Sequence, residues 1–285
     1  MFVSGYVFGF QVRTKGEVKL KAGNLFLSKA KRLMLPCAIF SLLYILIFDD
    51  VTQPVEYTLY GLINGVAHMW FLPMLFLCFA FIWMIEKLHL KPKVVLPLLM
   101  LCSLLSVDGL PLRIGQTMYY MLFFYMGYAL QRYDVNMDRY YTKANAAISV
   151  ILFLVLFFAL TLLKESRDSI FSSSALLVQI AKFITGRICM ICYSGAGIFM
   201  LLTVFGYILK GTGGRVPKIV VEIGSLCFGV YLFQQFLLQL LYYHTELPNF
   251  IGPFATPWVG FVIALVASLL LSWSVRLTKI GRFII

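Results

Sequence analysis

Charge is what this sequence has least of. Charged residues occupy 13 % of its 285 positions, about half of the ~25 % that is usual in soluble domains. Because 61 % of the residues are hydrophobic, a soluble domain of this length would lack the polar surface to cover its core. The apolar residues also come in long blocks, which excludes a disordered chain. The composition therefore predicts an all-α bundle that crosses a membrane several times.

Cysteine and histidine are scarce as well, at six and three residues. All six cysteines lie inside apolar blocks, where they are typical of small buried side chains and not of a disulfide framework. Cys189 and Cys192 have the spacing of metal ligands, but no further His, Asp or Cys pair accompanies them. We therefore predict neither a metal site nor a permanently bound cofactor.

Acidic residues are half as numerous as basic ones, 12 against 24. The basic residues lie in short loops between apolar blocks and do not form a stripe on a soluble fold. This distribution is typical of membrane topology and argues against a nucleic-acid partner.

The apolar blocks predict about eight membrane spans, since a bilayer core of ~30 Å needs ~20 helical residues. They are residues 33–48, 69–85, 94–107, 114–131, 144–163, 186–209, 219–243 and 255–275. With alternating sides, one set of loops holds nineteen Lys and Arg residues and the other holds four. The richer side is cytoplasmic by the usual rule. We predict one multi-pass domain over residues 1–285 in the inner or plasma membrane, with residues 11–32 and the C-terminus cytoplasmic.

The first ten residues are apolar, but ten helical residues reach only ~15 Å. Gly5 and Gly9 form a small-xxx-small pair of the kind that packs membrane helices closely. We expect a half-helix here, either re-entrant or built to pack against a helix that is missing in front of it.

Four ionisable residues are candidates for chemistry, because charge at membrane depth is costly. Arg187 lies inside a span and either binds substrate or reaches to the interface. His68 either acts as a general base or starts a helix beside the interfacial Trp70. Lys29 and Arg32, three residues apart, would share a helix face that binds phosphates or anchors the chain to anionic lipids.

Five segments resemble, in the same order, landmarks of the acyltransferase-3 family of membrane O-acyltransferases. They are FVSGYVFG at 2–9, SKAKRLMLP at 28–36, HMWFLP at 68–73, GSLCFGVYL at 224–232 and KIGRF at 279–283. The family has ten helices and moves acyl groups from acyl-CoA to sugars or lipid-linked glycans. It uses a histidine in its first helix, and the resemblance here begins at the second. An inactive, truncated relative is therefore one interpretation, and the catalytic residue is unassigned, with His68 as a candidate.

The resemblance implies roles for further residues. Lys29 and Arg32 would contact acyl-CoA, since they match a basic pair that the family links to the donor. Trp70, Tyr231 and Gln234 would bind substrate, although relatives often have histidine at the position of Gln234. Arg187 is the further substrate-binding candidate, because it lies inside a span.

The expected function is transfer of an acetyl group from acetyl-CoA to a hydroxyl of a surface polysaccharide or a lipid-linked sugar. The partners would be acyl-CoA, the glycan acceptor and the bilayer. The alternative from another class is a transporter or flippase. Such proteins often show inverted repeats and paired intramembrane charges, and neither is evident here.

Overall fold

The computed structural model describes residues 1–16, 21–48, 55–107, 109–170, 176–246, 250–278 and 281, with the backbone alone for 164–170. None of these residues lies in a strand. The α-helices are α1 (Phe2–Lys15), α2 (Ala22–Lys29), α3 (Leu35–Phe48), α4 (Val55–Asn64), α5 (Phe71–Lys87), α6 (Pro92–Leu104), α7 (Ile114–Arg132), α8 (Lys143–Ile170), α9 (Leu176–Gly211), α10 (Lys218–Tyr243) and α11 (Thr256–Leu277). A π-helical segment, Ala30–Met34, joins α2 to α3, and Ala67–Trp70 forms a 3-10 turn before α5. The all-α class is confirmed.

Within the described residues, six helical segments are long and apolar enough to cross a membrane. They are Ala22–Phe48, Ala67–Lys87, Lys143–Leu163, Leu176–Gly211, Lys218–Tyr243 and Thr256–Leu277. α6 is apolar but shorter, and α7 carries Gln116, Thr117 and several tyrosines that make it less apolar. Each of the eight predicted spans coincides with one of these helices, and the chain is a multi-pass membrane protein.

The chain divides into two compact units. The first unit contains Met1–Lys21 and Phe81–Val216, and the second contains Ala22–Ala80 and Pro217–Ile285. That the two units form one membrane domain stays a prediction. Each unit is built around its own pairs of packed helices.

In the first unit, α1 packs tightly along α7 through glycines on both helices. A Cβ at Gly5 or Gly9 would overlap the carbonyl oxygens of Phe124 or Tyr128, and a Cβ at Gly127 would overlap the backbone of Phe2. Only glycine allows backbones to come this close. The expectation that the glycine face of α1 lacks its partner is therefore wrong, because α7 occupies that face.

Three loops that were predicted to share a membrane side meet at one end of the first unit. Arg13, at the end of α1, forms an ion pair with Asp134 after α7. Glu86, at the end of α5, accepts hydrogen bonds from Tyr128 at 2.7 Å and from Arg132 at 3.4 Å. These contacts agree with the predicted alternation within this unit, while the membrane face that this end occupies stays a prediction.

α8 shows how the first unit separates an inner from an outer helix surface. The Ser149 hydroxyl shares a hydrogen bond of 2.8 Å with Thr203 of α9, and both side chains are buried. The other side of α8 is an apolar stripe at helical spacing, Ile151, Val155, Phe158 and Leu162, and all four residues are more than half exposed. Such a continuous apolar surface is expected to face lipid.

In the second unit, α10 and α11 pack along a row of small residues. Gly260, Ala264, Ser268 and Ser272 recur every four residues on α11 and are buried. A Cβ at Gly260 would overlap the ring of Tyr242 on α10. Small residues at this spacing let membrane helices approach closely. The close van der Waals packing stabilises the pair, because burial of apolar side chains gives little free energy in lipid.

Candidate functional site

A tight turn between α4 and α5 sets the position of His68 in the second unit. Gly65 has φ of 74°, and a Cβ there would overlap the backbone of Met69. The Val66 amide donates a hydrogen bond of 3.1 Å to the buried hydroxyl of Ser41 on α3. The Asn64-Gly65 pair is a turn signal in sequence, and here it places His68 where the chain re-enters a helix.

Tyr231 of α10 holds the backbone of His68. Its hydroxyl donates a hydrogen bond of 2.5 Å to the His68 carbonyl oxygen. The two rings also meet edge to face, with their centroids 5.2 Å apart. The structure therefore brings together His68 and Tyr231, which lie 163 positions apart in sequence and were singled out separately.

The His68 ring is shielded from solvent. Both of its nitrogens are buried, and the backbone of Tyr231 and Leu232 lies near the ring. Tyr44 of α3 lies edge-on to the ring, with 6.5 Å between centroids. In this arrangement the imidazole packs against two tyrosine rings, and its role as a general base or as a helix-start residue stays a prediction.

An aromatic cluster that the sequence analysis did not identify extends from Tyr44. The Tyr44 hydroxyl donates a hydrogen bond to Oε1 of Gln239 on α10. Phe48 stacks edge-on with Phe236 at 5.0 Å and lies 5.5 Å from the ring of His244. A buried tyrosine needs a partner for its hydroxyl, and the position of Tyr44 inside an apolar span was the one available signal.

Trp70 and Gln234 lie close in sequence to the His68–Tyr231 pair: Trp70 follows His68, and Gln234 follows Tyr231. Trp70 ends the turn that contains His68, is half-buried and lies 6.4 Å from the ring of Phe71. Gln234 is half-buried on α10, three residues after Tyr231 and therefore on a neighbouring part of the same helix face. Their roles in substrate binding stay predictions.

The basic pair lies at the junction of α2 with the π-helical segment. Lys29 is half-buried, and its Nζ lies 3.7 Å from the centroid of the Phe79 ring on α5. Arg32 and its neighbour Lys31 are exposed. Because the π-helical segment has a wider turn than an α-helix, residues three apart do not line up as expected, and one cation packs inward while the others face outward.

Arg187 belongs to the first unit, whereas the other predicted site residues belong to the second. It is half-buried on α9, and its guanidinium lies over the rings of Tyr119 at 5.4 Å and Phe183 at 5.3 Å. Such cation–π contacts stabilise a charge at membrane depth. Arg187 is thus held by aromatic rings within the bundle, and its role in binding substrate stays a prediction.

The segment KIGRF at the end of the chain lies outside the described residues except for Gly281. A Cβ at Gly281 would overlap the carbonyl oxygen of Val275 on α11. The close approach explains a glycine here, and the basic residues Lys279 and Arg282 lie outside the described residues.

Comparison with known proteins identifies the family. The family model described as an acyltransferase domain, that of the acyltransferase-3 family, matches residues 1–277. No curated protein and no solved structure gives a significant match. The family match covers the first unit, the second unit up to residue 277 and every candidate residue from Lys29 to Gln234. The chain therefore belongs to the acyltransferase-3 family and is a membrane acyltransferase.

Proposed function

We propose that this protein transfers an acyl group, acetyl in the simplest case, from acyl-CoA to a hydroxyl of a surface polysaccharide or a lipid-linked sugar. The observation that carries the proposal is the family match over residues 1–277. The multi-pass fold supports it as well, because a membrane enzyme can meet a lipid-linked acceptor directly.

The chemistry is a direct transfer. The acceptor oxygen attacks the thioester carbonyl carbon, the carbon–sulfur bond breaks, and the hydroxyl proton ends on the CoA thiol. A general base speeds such a step by roughly 10²–10⁴. The shielded nitrogens of His68 favour a packing role for this residue, so the proposal does not use it as the base.

The donor would bind through its phosphates at the basic segment. Lys31 and Arg32 are exposed beside the π-helical segment, and Lys29 is fixed over the Phe79 ring. Arginine binds phosphate with two parallel hydrogen bonds, and lysine binds it as a point charge. One fixed cation followed by two exposed cations is an arrangement that suits a ligand with several phosphates.

Transfer is tested with membranes that contain the protein, radiolabelled acetyl-CoA and a glycan fraction. Label is expected in the glycan only when the protein is present. Mild alkali should release it as acetate, because alkali hydrolyses an O-acetyl ester. Uptake of free sugar into proteoliposomes without any glycan labelling would favour a transporter and contradict the proposal.

The donor site is tested by replacing Lys29→Ala and Arg32→Ala together and measuring acetyl-CoA affinity. Each hydrogen bond to a charged group is worth ~1.5–3 kcal/mol, so we expect affinity to fall at least about tenfold.

The matched control replaces Lys210→Ala and Arg215→Ala, two exposed cations that are predicted on the same membrane side. Arg32→Ala alone leaves the Lys29–Phe79 contact intact and guards against misfolding. Equal affinity in all variants would assign the segment to lipid anchoring instead.

A further inference from the structure

An apolar cavity of about 420 Å³ lies within the first unit. Its wall comes from α1, α6, α7, α9 and the loop that follows α7. The residues that define it include Phe2, Leu96, Met126, Val135, Gly195 and Phe199. None of the predicted site residues lines this cavity.

The composition of the wall selects the kind of ligand. Ligand cavities typically have volumes of roughly 300–1,000 Å³, and this one lies within that range. Its lining side chains are almost all apolar, and an apolar cavity does not hold ordered water. Leu96, Met126, Tyr133 and Val135 are each at least one third exposed, so the cavity is open to its surroundings. In a membrane protein, a lipid hydrocarbon chain is the ligand that matches an apolar lining of this kind.

Basic residues lie close in sequence to residues that line the cavity. Pro92 is one of the lining residues, and its neighbours Lys91 and Lys93 are both exposed. Arg139, in the loop after α7, is exposed as well and stacks on the ring of Tyr140. Cations beside an apolar cavity complement an amphiphile whose head carries a negative charge.

We propose that this cavity binds one alkyl chain of an anionic bilayer phospholipid, with the lipid phosphate at Lys91 and Lys93. Neither Lys29 nor Arg32 lines the cavity, and the proposed site does not depend on the transfer reaction. Its occupant would be a structural lipid that fills the space between α6, α7 and α9.

Gly195 offers a sharp test, because it lines the cavity and a Cβ there would meet no other atom within 4 Å. Gly195→Leu therefore fills the cavity without a clash in the backbone. Each methylene displaced from an apolar site costs about fourfold in affinity, so we expect lipid retention to fall at least about tenfold. The matched control is Gly211→Leu on the same helix, where a Cβ also has open space and the cavity is not involved.

The readout is native mass spectrometry of the full-length protein after exchange into phosphatidylglycerol or phosphatidylcholine nanodiscs. We expect one retained phosphatidylglycerol, less phosphatidylcholine, loss of both in Gly195→Leu, and loss of the headgroup preference in the Lys91→Ala, Lys93→Ala variant. Unchanged retention in Gly195→Leu would overturn the proposal, as would retention of a polyprenyl phosphate in place of phospholipid.

A second measurement does not depend on the folding of a variant. Phosphatidylglycerol with a photoreactive group on its acyl chain is crosslinked to the unmodified protein, and the labelled peptides are sequenced. Labels on the peptides that contain Met126 or Phe199 support the site. Labels confined to the exposed stripe of α8 would show only lipid contact at the outer surface and would overturn the proposal.

Discussion

At the scale of single residues, Tyr231 contacts His68 in two ways, through a hydrogen bond to its backbone and through a contact between the two rings. The Tyr231 hydroxyl satisfies the carbonyl oxygen of His68, while the imidazole packs between Tyr231 and Tyr44. The same carbonyl oxygen also accepts a hydrogen bond from the Phe71 amide, so the Tyr231 hydroxyl is a second donor that joins α10 to this turn. The hydrogen bond and the ring contact can therefore be removed separately.

Replacing His68→Phe is expected to keep the transfer rate within about tenfold of the original, because the ring contacts remain and loss of a general base costs ~10²–10⁴. The measurement is the initial rate of acetyl transfer together with the thermal unfolding temperature. His244→Phe, at the exposed end of α10, is the matched control. A loss beyond a hundredfold with unchanged unfolding would identify His68 as the base.

Replacing Tyr231→Phe removes the donor and keeps the ring. The His68 carbonyl oxygen keeps the hydrogen bond that it accepts from the Phe71 amide, so the variant loses about the ~0.5–1.5 kcal/mol of one hydrogen bond. We therefore expect a lower unfolding temperature in detergent. Tyr243→Phe on the same helix is the control, since Tyr243 is 78 % exposed. Equal unfolding temperatures for the two variants would show that the hydrogen bond to His68 does not stabilise the fold.

At the scale of helices, the glycines of α1 show what a sequence can and cannot predict. The spacing of Gly5 and Gly9 indicates a close helix contact, and that contact exists. The partner could not be predicted, because Gly127 of α7 is distant in sequence and is one of 21 glycines. Pairing is a property of tertiary packing, whereas spacing is local.

The same division applies to the second unit. Its spans follow from long apolar blocks, but α4 lies inside what was predicted as a loop, because Val55–Asn64 is short and mixes polar with apolar residues. The π-helical segment Ala30–Met34 also could not be predicted, since its residues are compatible with an ordinary α-helix. The Val66–Ser41 and Tyr44–Gln239 hydrogen bonds depend on contacts between distant segments.

The contact between α1 and α7 predicts a strong effect of one added methyl group. Gly5→Ala is expected to lower stability by ~1–3 kcal/mol, because overpacking here displaces backbone and not a flexible side chain. Gly224→Ala, inside α10 with open space around it, is expected to be neutral or stabilising by up to ~1 kcal/mol. Thermal unfolding of both variants measures the difference. Equal values would contradict the close packing of α1 on α7.

At the scale of the whole molecule, sidedness is the property that links the charge pattern to the chemistry. The ion pairs Arg13–Asp134 and Arg132–Glu86 gather three loops at one end of the first unit. The proposed donor is cytoplasmic, so the basic segment of the second unit must face the cytoplasm for the proposed function to hold. The nineteen-to-four distribution of Lys and Arg predicts that it does.

Labelling of single cysteines tests this sidedness in each unit separately. In a variant whose six cysteines are replaced by serine or alanine, we introduce Asn136→Cys or Leu110→Cys in the first unit and Ser28→Cys or Thr245→Cys in the second. A maleimide that does not cross membranes is expected to label Leu110→Cys and Thr245→Cys on intact cells, and the other two only after permeabilisation. Leu110, Asn136 and Thr245 lie outside the helices, and Ser28 is exposed near the end of α2. Labelling of Ser28→Cys on intact cells would place Lys29 and Arg32 on the outer face, where cytoplasmic acyl-CoA cannot reach them.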